Sequence, residues 1–173
     1  MSERTLNQGA PTVAIQVELG EAPEKARLLA QKLCLPVVEK GNVADSPEVA
    51  DGLVTLRYFD GKLQALSKDQ SGNQYMVETD FLQIGSAKRL LRARSELVVK
   101  AIQGRQKTSL TVLDATAGLA GDAMLIAALG HQVTALERAP LVYELAEDGL
   151  ARARIAGIAE LPKLILADGL QWL

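Results

Sequence analysis

Thr111-Val112-Leu113-Asp114-Ala115-Thr116-Ala117-Gly118-Leu119-Ala120-Gly121-Asp122 reads as a short apolar strand, an acid at its end, a turn of small residues and the start of a helix. Asp122 to Leu129 continues that helix and Gly130 closes it. Gln132-Val133-Thr134-Ala135-Leu136 is a second strand ending in Glu137, and Pro140, at a first helical position, opens a helix reaching to about Ala156 with Gly157 as its stop. Leu164-Ile165-Leu166-Ala167 is a third strand, ending in Asp168. Strands and helices that alternate in this way imply a parallel, doubly wound sheet with right-handed crossovers. Ligands of such sheets lie at the carboxyl ends of the strands.

Three acids, Asp114, Glu137 and Asp168, stand at or just beyond those ends. The turn after the first strand must come close to a ligand, which suits Gly118, Gly121 and their alanine neighbours, and the next helix offers unpaired N–H groups there. Glu137 follows Asp114 by 23 positions, where an acid accepts hydrogen bonds from both ribose hydroxyls. An acid at the third strand's end can take the exocyclic amine of an adenine. Together these positions describe an adenosine-containing cofactor. A dinucleotide site wants Gly-x-Gly-x-x-Gly around a pyrophosphate, but the turn keeps two glycines of that frame and adds Asp122, which repels anions. A phosphate-binding P-loop is excluded, since no Gly-Lys-Ser or Gly-Lys-Thr occurs. Asp114 and Asp122 suit a ligand with a sulfonium and an ammonium group, so S-adenosylmethionine fits better than a nicotinamide dinucleotide.

Outside this part, charge is distributed unevenly. Residues 1–84 carry a net −4 and residues 109–173 a net −4, whereas residues 85–108 carry +6. Lys88, Arg89, Arg92, Arg94, Lys100, Arg105 and Lys107 supply that island against Glu96 alone. A basic stretch on an otherwise acidic chain is a candidate phosphate-contacting surface or, equally, a solvated helix face. A helix is expected over Ser95–Gln103, or from as early as about Ser86, and on its wheel Leu90, Leu91, Leu97, Val98, Ala101 and Ile102 share one face; Arg94 falls on that face in the longer helix, or, the preferred reading, in the loop before a helix capped by Ser95.

Residues 1–84 read as a small α+β unit. Strands are expected at Thr12–Leu19, Pro36–Glu39, Leu53–Tyr58, Leu63–Leu66 and Tyr75–Glu78, with a helix over Glu21–Leu33 that sets Leu28, Leu29 and Leu33 at helical spacing. Asp60-Gly61 between two strands is a strong hairpin signal. The whole chain has 173 residues, 48% of them apolar, and a net charge of −2, which excludes collagen, coiled coil and wholesale disorder. No run approaches the length of a membrane span, and Met1-Ser2-Glu3-Arg4-Thr5 lacks the order of a signal peptide, so a cytoplasmic protein is expected. The lone Cys34, expected as a buried thiol, and the lone His131 argue against a disulfide and a bound metal.

Leu113-Asp114-Ala115-Thr116-Ala117-Gly118-Leu119-Ala120-Gly121-Asp122-Ala123 followed by Leu136-Glu137-Arg138-Ala139-Pro140 resembles the RsmJ-type family of bacterial 16S rRNA guanine-N2 methyltransferases. The likeness extends through Asp148-Gly149-Leu150-Ala151-Arg152-Ala153, and more weakly to Val77, Phe81 and Arg94-Ser95-Glu96. It implies S-adenosylmethionine contacts at Gly121 and Asp122, the ribose at Glu137 and Arg138, and the adenine near Asp168 and Gly169. It also implies 16S rRNA of the small ribosomal subunit as partner, with Lys88, Arg89, Arg92 and Arg94 on the RNA. The organisation expected is a small α+β domain over 1–84, a basic connector helix over 85–108, and the first half of a Rossmann-like class I methyltransferase sheet over 109–173. The family's Asp-Pro-x-Phe-Pro segment, expected after a fourth strand to hold the guanine amine, does not occur among these residues. No catalytic residue is therefore assigned, and residues 1–173 alone are expected to be inactive. Alternatives are a methyltransferase of a small molecule or protein, and a non-catalytic binding module that pairs with another copy through an exposed sheet edge.

Overall fold

The computed structural model describes residues 14–18, 21–38, 53–69, 71–82, 97–103 and 108–172. The chain divides into two compact units, Met1–Val77 and Glu78–Leu173.

In the first unit a five-stranded sheet has the order β2-β1-β3-β4-β5. Its strands are β1 (Ala14–Glu18), β2 (Val37–Val38), β3 (Leu53–Phe59), β4 (Lys62–Lys68) and β5 (Gln74–Glu78). β1 runs parallel to both β2 and β3, and β3 pairs antiparallel with β4. The hairpin turn is the expected Asp60-Gly61, with φ of 49° and 70°, which matches the right-handed twist of the flanking strands. Glu21 Oε2 accepts the Asp60 N–H at 2.7 Å and anchors that turn.

Helix α1 (Pro23–Leu33) opens with proline in its first turn and ends at Cys34 in the left-handed conformation, φ 53°. Two expectations fail here. Cys34 is exposed, because the left-handed cap lifts it off the packed face. Leu28 is also exposed, since the buried stripe runs through Ala26, Leu29 and Ala30, about one residue's rotation away.

The second unit contains α2 (Leu97–Gln103), β6 (Thr111–Asp114), α3 (Gly121–Ala128), β7 (Gln132–Glu137), α4 (Pro140–Ile155), β8 (Lys163–Leu166) and α5 (Gly169–Trp172). β6, β7 and β8 form a parallel sheet in that order, with Asp114 opposite Ala135 and Glu137 opposite Leu166. The first half of a doubly wound sheet is thus present, as the alternation of elements requires. β8 begins and ends one residue earlier than its apolar run suggested. Among the described residues β6 and β8 each have a partner on one side only.

Val133 and Ala135 are buried on one face of β7 and Leu136 on the other, so this central strand is covered on both sides. One core joins Val133 and Ala135 to Ala123, Met124, Ile126 and Ala127 of α3, to Ala146, Leu150 and Ala153 of α4, and to Phe81 and Val99. α2 turns inward a face rotated from the one expected, keeping Val98 and Ile102 of it and losing Leu97 and Ala101. Val99 is buried and Val98 and Ile102 pack on the core, while Leu97 is 83% exposed and Ala101 also faces outward. The i, i+3 and i, i+4 contacts of Val98, Val99 and Ile102 win over the pair Leu97 and Ala101.

The Thr79–Phe81 segment is clasped to α4. A Cβ on Gly149 would lie 2.7 Å from Thr79 Cγ2 and 3.2 Å from Phe81 Cε2, so glycine alone lets the segment approach. Arg152 donates through Nη2 to the Thr79 carbonyl and through Nε to Asp148 Oδ2 at 3.0 Å, and its Nη1 lies 3.8 Å from Asp80 Oδ1. No helix among the described residues is long and apolar enough to cross a membrane.

Candidate functional site

Each of the three acids beyond the parallel strands closes a turn two residues onward. Asp114 Oδ1 accepts the Thr116 N–H at 3.1 Å, Glu137 Oε1 the Ala139 N–H at 2.7 Å, and Asp168 Oδ1 the Leu170 N–H at 3.0 Å. The common cause is that at and just past a strand's end the N–H groups lack ladder partners, and a carboxylate close by in the chain takes one of them. These bonds use part of each carboxylate's acceptor capacity, which is about four lone pairs.

The end of β7 is the hub that gathers the loops. Leu136 O accepts the Ala117 N–H at 2.8 Å, Glu137 Oε2 accepts the Gly118 N–H at 2.8 Å, and Glu137 O accepts the Ala167 N–H at 2.9 Å. Both the turn after β6 and the segment leading to Asp168 are thereby tied to one residue pair. The two loops also touch over the top of β7. A Cβ on Gly169 would fall 2.4 Å from Ala115 O, so glycine is required there by packing.

Within the β6 turn, Gly118 has φ 54° and Ala120 φ 59°. Ala120 is fully buried at the cap position of α3, and its carbonyl accepts the Met124 N–H at 2.9 Å. Gly121 differs from the other glycines of the site. Its φ is outside the left-handed region and a Cβ there would meet nothing within 4 Å. Neither backbone strain nor packing among the described residues explains glycine at the first residue of α3.

Asp114, Gly118, Glu137, Asp168 and Gly169 are thus brought to one end of the parallel sheet, Asp114, Gly118, Glu137 and Asp168 half-buried and Gly169 buried. Gly121 and Asp122 stand exposed at the start of α3, and Arg138 is exposed after β7. Lys88, Arg89, Arg92 and Arg94 lie outside the described residues. His131 is buried, its Nδ1 accepting the Leu110 N–H at 3.2 Å, so it serves the sheet rather than the site. No group of three or more potential metal ligands occurs among the described residues. Reading the sequence alone missed Ala115, Leu136 and Ala139, because they act through backbone atoms. Their only signal was the run of small residues, which marks close approach without naming partners.

A family model described as putative SAM-dependent methyltransferase matches residues 45–165. The chain belongs to this family. Among similar methyltransferases, the ribosomal RNA small subunit methyltransferase J of Alkalilimnicola ehrlichii is 34% identical over 155 residues, covering 88% of this chain and 56% of the relative. That of Pseudomonas fluorescens is 36% identical over 155 residues, covering 85% and 55%. The chain therefore spans about half the length of the curated relatives it matches. A SAM-dependent methyltransferase from Neisseria gonorrhoeae has the same fold, with a TM-score of 0.60 at 24% identity over 91% of this chain and 62% of that one.

S-adenosylmethionine is the cofactor of this methyltransferase family, and the residues present fit it. The carboxylates of Glu137 and Asp168 retain acceptor positions for hydroxyl and amine donors, and Asp114 and Asp122 match a cationic group. The open space at Gly121 gives a ligand access to the start of α3.

Proposed function

We propose that residues 109–173 hold the S-adenosylmethionine side of a reaction that methylates the N2 amine of a guanine in 16S rRNA. The observation that carries this reading is Gly121: nothing among the described residues requires glycine there, and a ligand approaching the helix start would. Glu137 and Arg138 would meet the ribose, Asp168 and Gly169 the adenine end, and Asp114, Gly118, Gly121 and Asp122 the methionine end. The cofactor supplies a methyl group on a cationic sulfur. The chain's residues fix its orientation, and in-line placement of the acceptor amine supplies most of the rate gain.

The rRNA substrate is supported by the names of the relatives and by the +6 charge of residues 85–108. In this reading the basic connector grips phosphates beside a guanine taken out of its stack. Work on rRNA would place the protein in the cytoplasm.

Calorimetric titration of S-adenosylmethionine into the wild type and Gly121→Ala tests the cofactor site. The variant should keep its folding stability and bind the cofactor at least about tenfold more weakly, since a buried methyl mismatch costs on that order. Equal affinities would reject the site. For the RNA, charge reversal at Arg89 and Arg92 should weaken binding to small-subunit RNA and flatten its salt dependence, and an unchanged salt slope would reject that role.

A further inference from the structure

Glu137 differs from the other two acids in what else it reaches. Asp114 and Asp168 each take the N–H two residues on, and both of those bonds are local. Glu137 makes the same local bond to Ala139 and, one methylene longer, also takes the N–H of Gly118 from the turn after β6. That turn contains two left-handed residues in three, Gly118 and Ala120, and the second is an alanine, for which this conformation is unfavourable. No side chain caps α3 among the described residues. Among the described residues the turn is held by its own Asp114 and Ala117, by the Leu136 carbonyl, and by one side chain from outside, that of Glu137.

We infer that Glu137 is a positioning residue for the methionine end of the cofactor, acting through Gly118, in addition to meeting the ribose. The inference rests on the cofactor reading above. A carboxylate with one oxygen on Gly118 and one on Ala139 has lone pairs left for hydroxyl donors, so the two roles are compatible. Ribose recognition and the shape of the turn are then set by the same group, and the site is preorganised before ligand arrives.

Glu137→Asp separates the roles. The shorter acid keeps the charge and the local bond, as Asp114 and Asp168 do, but cannot span to Gly118. S-Adenosylmethionine and 5′-methylthioadenosine share the adenine and ribose, and only the first carries the amino acid group. In calorimetry on residues 1–173, the variant should lose on the order of tenfold more affinity for S-adenosylmethionine than for methylthioadenosine, the scale of one charge-assisted hydrogen bond. The Gly118 amide should also exchange its proton faster in the ligand-free variant. Glu137→Gln, which keeps the length but only one acceptor oxygen, serves if the aspartate variant does not fold; because it also removes the charge, it is read with S-adenosylhomocysteine against methylthioadenosine, two neutral thioethers that differ in the amino acid group, and should show the same split to a smaller degree. Equal losses for the two ligands would overturn the inference and leave the cofactor reading standing. Failure of the wild type to bind either ligand would overturn both.

Discussion

Replacing Gly169 with alanine puts a methyl group where a backbone oxygen already sits. The new Cβ would lie 2.4 Å from Ala115 O, 3.0 Å from Ala115 Cβ and 3.2 Å from the Ala115 carbonyl carbon. Relief to an acceptable contact requires about 0.6 Å of movement, and the atom that must move is main chain rather than the end of a flexible side chain. Ala115 is fastened on one side by β6 and on the other by the Asp114, Leu136 and Glu137 bonds to residues 116–118. Neither loop can yield without loosening the hub, so the cost should be about 1–3 kcal/mol, the usual range for overpacking. Urea unfolding followed by Trp172, the only tryptophan and three residues away in α5, reads this directly. Cofactor affinity should fall as well, because the displaced turn is the one that meets the ligand. A Gly169→Ala protein that unfolds within about 0.5 kcal/mol of wild type would refute the packing argument, that being the size of an ordinary surface substitution.

Arg152→Met should destabilise the second unit by about 2 kcal/mol, because it removes the charge-assisted bonds to Asp148 and to the Thr79 carbonyl from a site where the Arg152 and Asp148 side chains are about 15% exposed. Chemical denaturation checks this, and a loss below about 1 kcal/mol would mean that the clasp does not hold the segment. In the first unit the Asn73 side chain and backbone, with Tyr75, hold the Asp69 carboxyl below its ordinary value of 3.8, and the bond to Asp69 with its charge raises the Tyr75 hydroxyl above 10.0. The Asp69 contribution to stability is therefore present above pH 3.8 and lost as pH falls through the lowered value, while that of Tyr75 is present below pH 10.0 and lost as pH rises through the raised value. Asp69→Asn should return the Tyr75 titration toward 10.0 by NMR, and an unmoved Tyr75 would reject the pairing.

Much of the second unit is legible in the sequence. Apolar runs of four to six residues separated by a helix-length segment have few arrangements open to them, and Pro140, Gly130 and Gly157 punctuate them at the observed ends. The Asp60-Gly61 hairpin was equally legible, since few dipeptides accept two positive φ angles. Rotation of helices was not. Leu28 and Leu97 both look like core residues in a helical pattern, and both are exposed, because which of two adjacent apolar stripes is buried depends on the surface the helix meets. Cys34 departs from its expected burial for a related reason: burial statistics for cysteine say nothing about a left-handed cap.

By itself the sequence determined the kind of site: acids at successive strand ends beside a small-residue turn, a pattern carried by side-chain identity and spacing. Only the tertiary structure decided how those acids are used. Asp114 and Asp168 serve their own turns, whereas Glu137 reaches across to Gly118 and Gly169 rests on the backbone of Ala115. Such contacts join residues far apart in the chain through main-chain atoms that every residue possesses. No residue type marks them, and only the folded backbone brings them within reach.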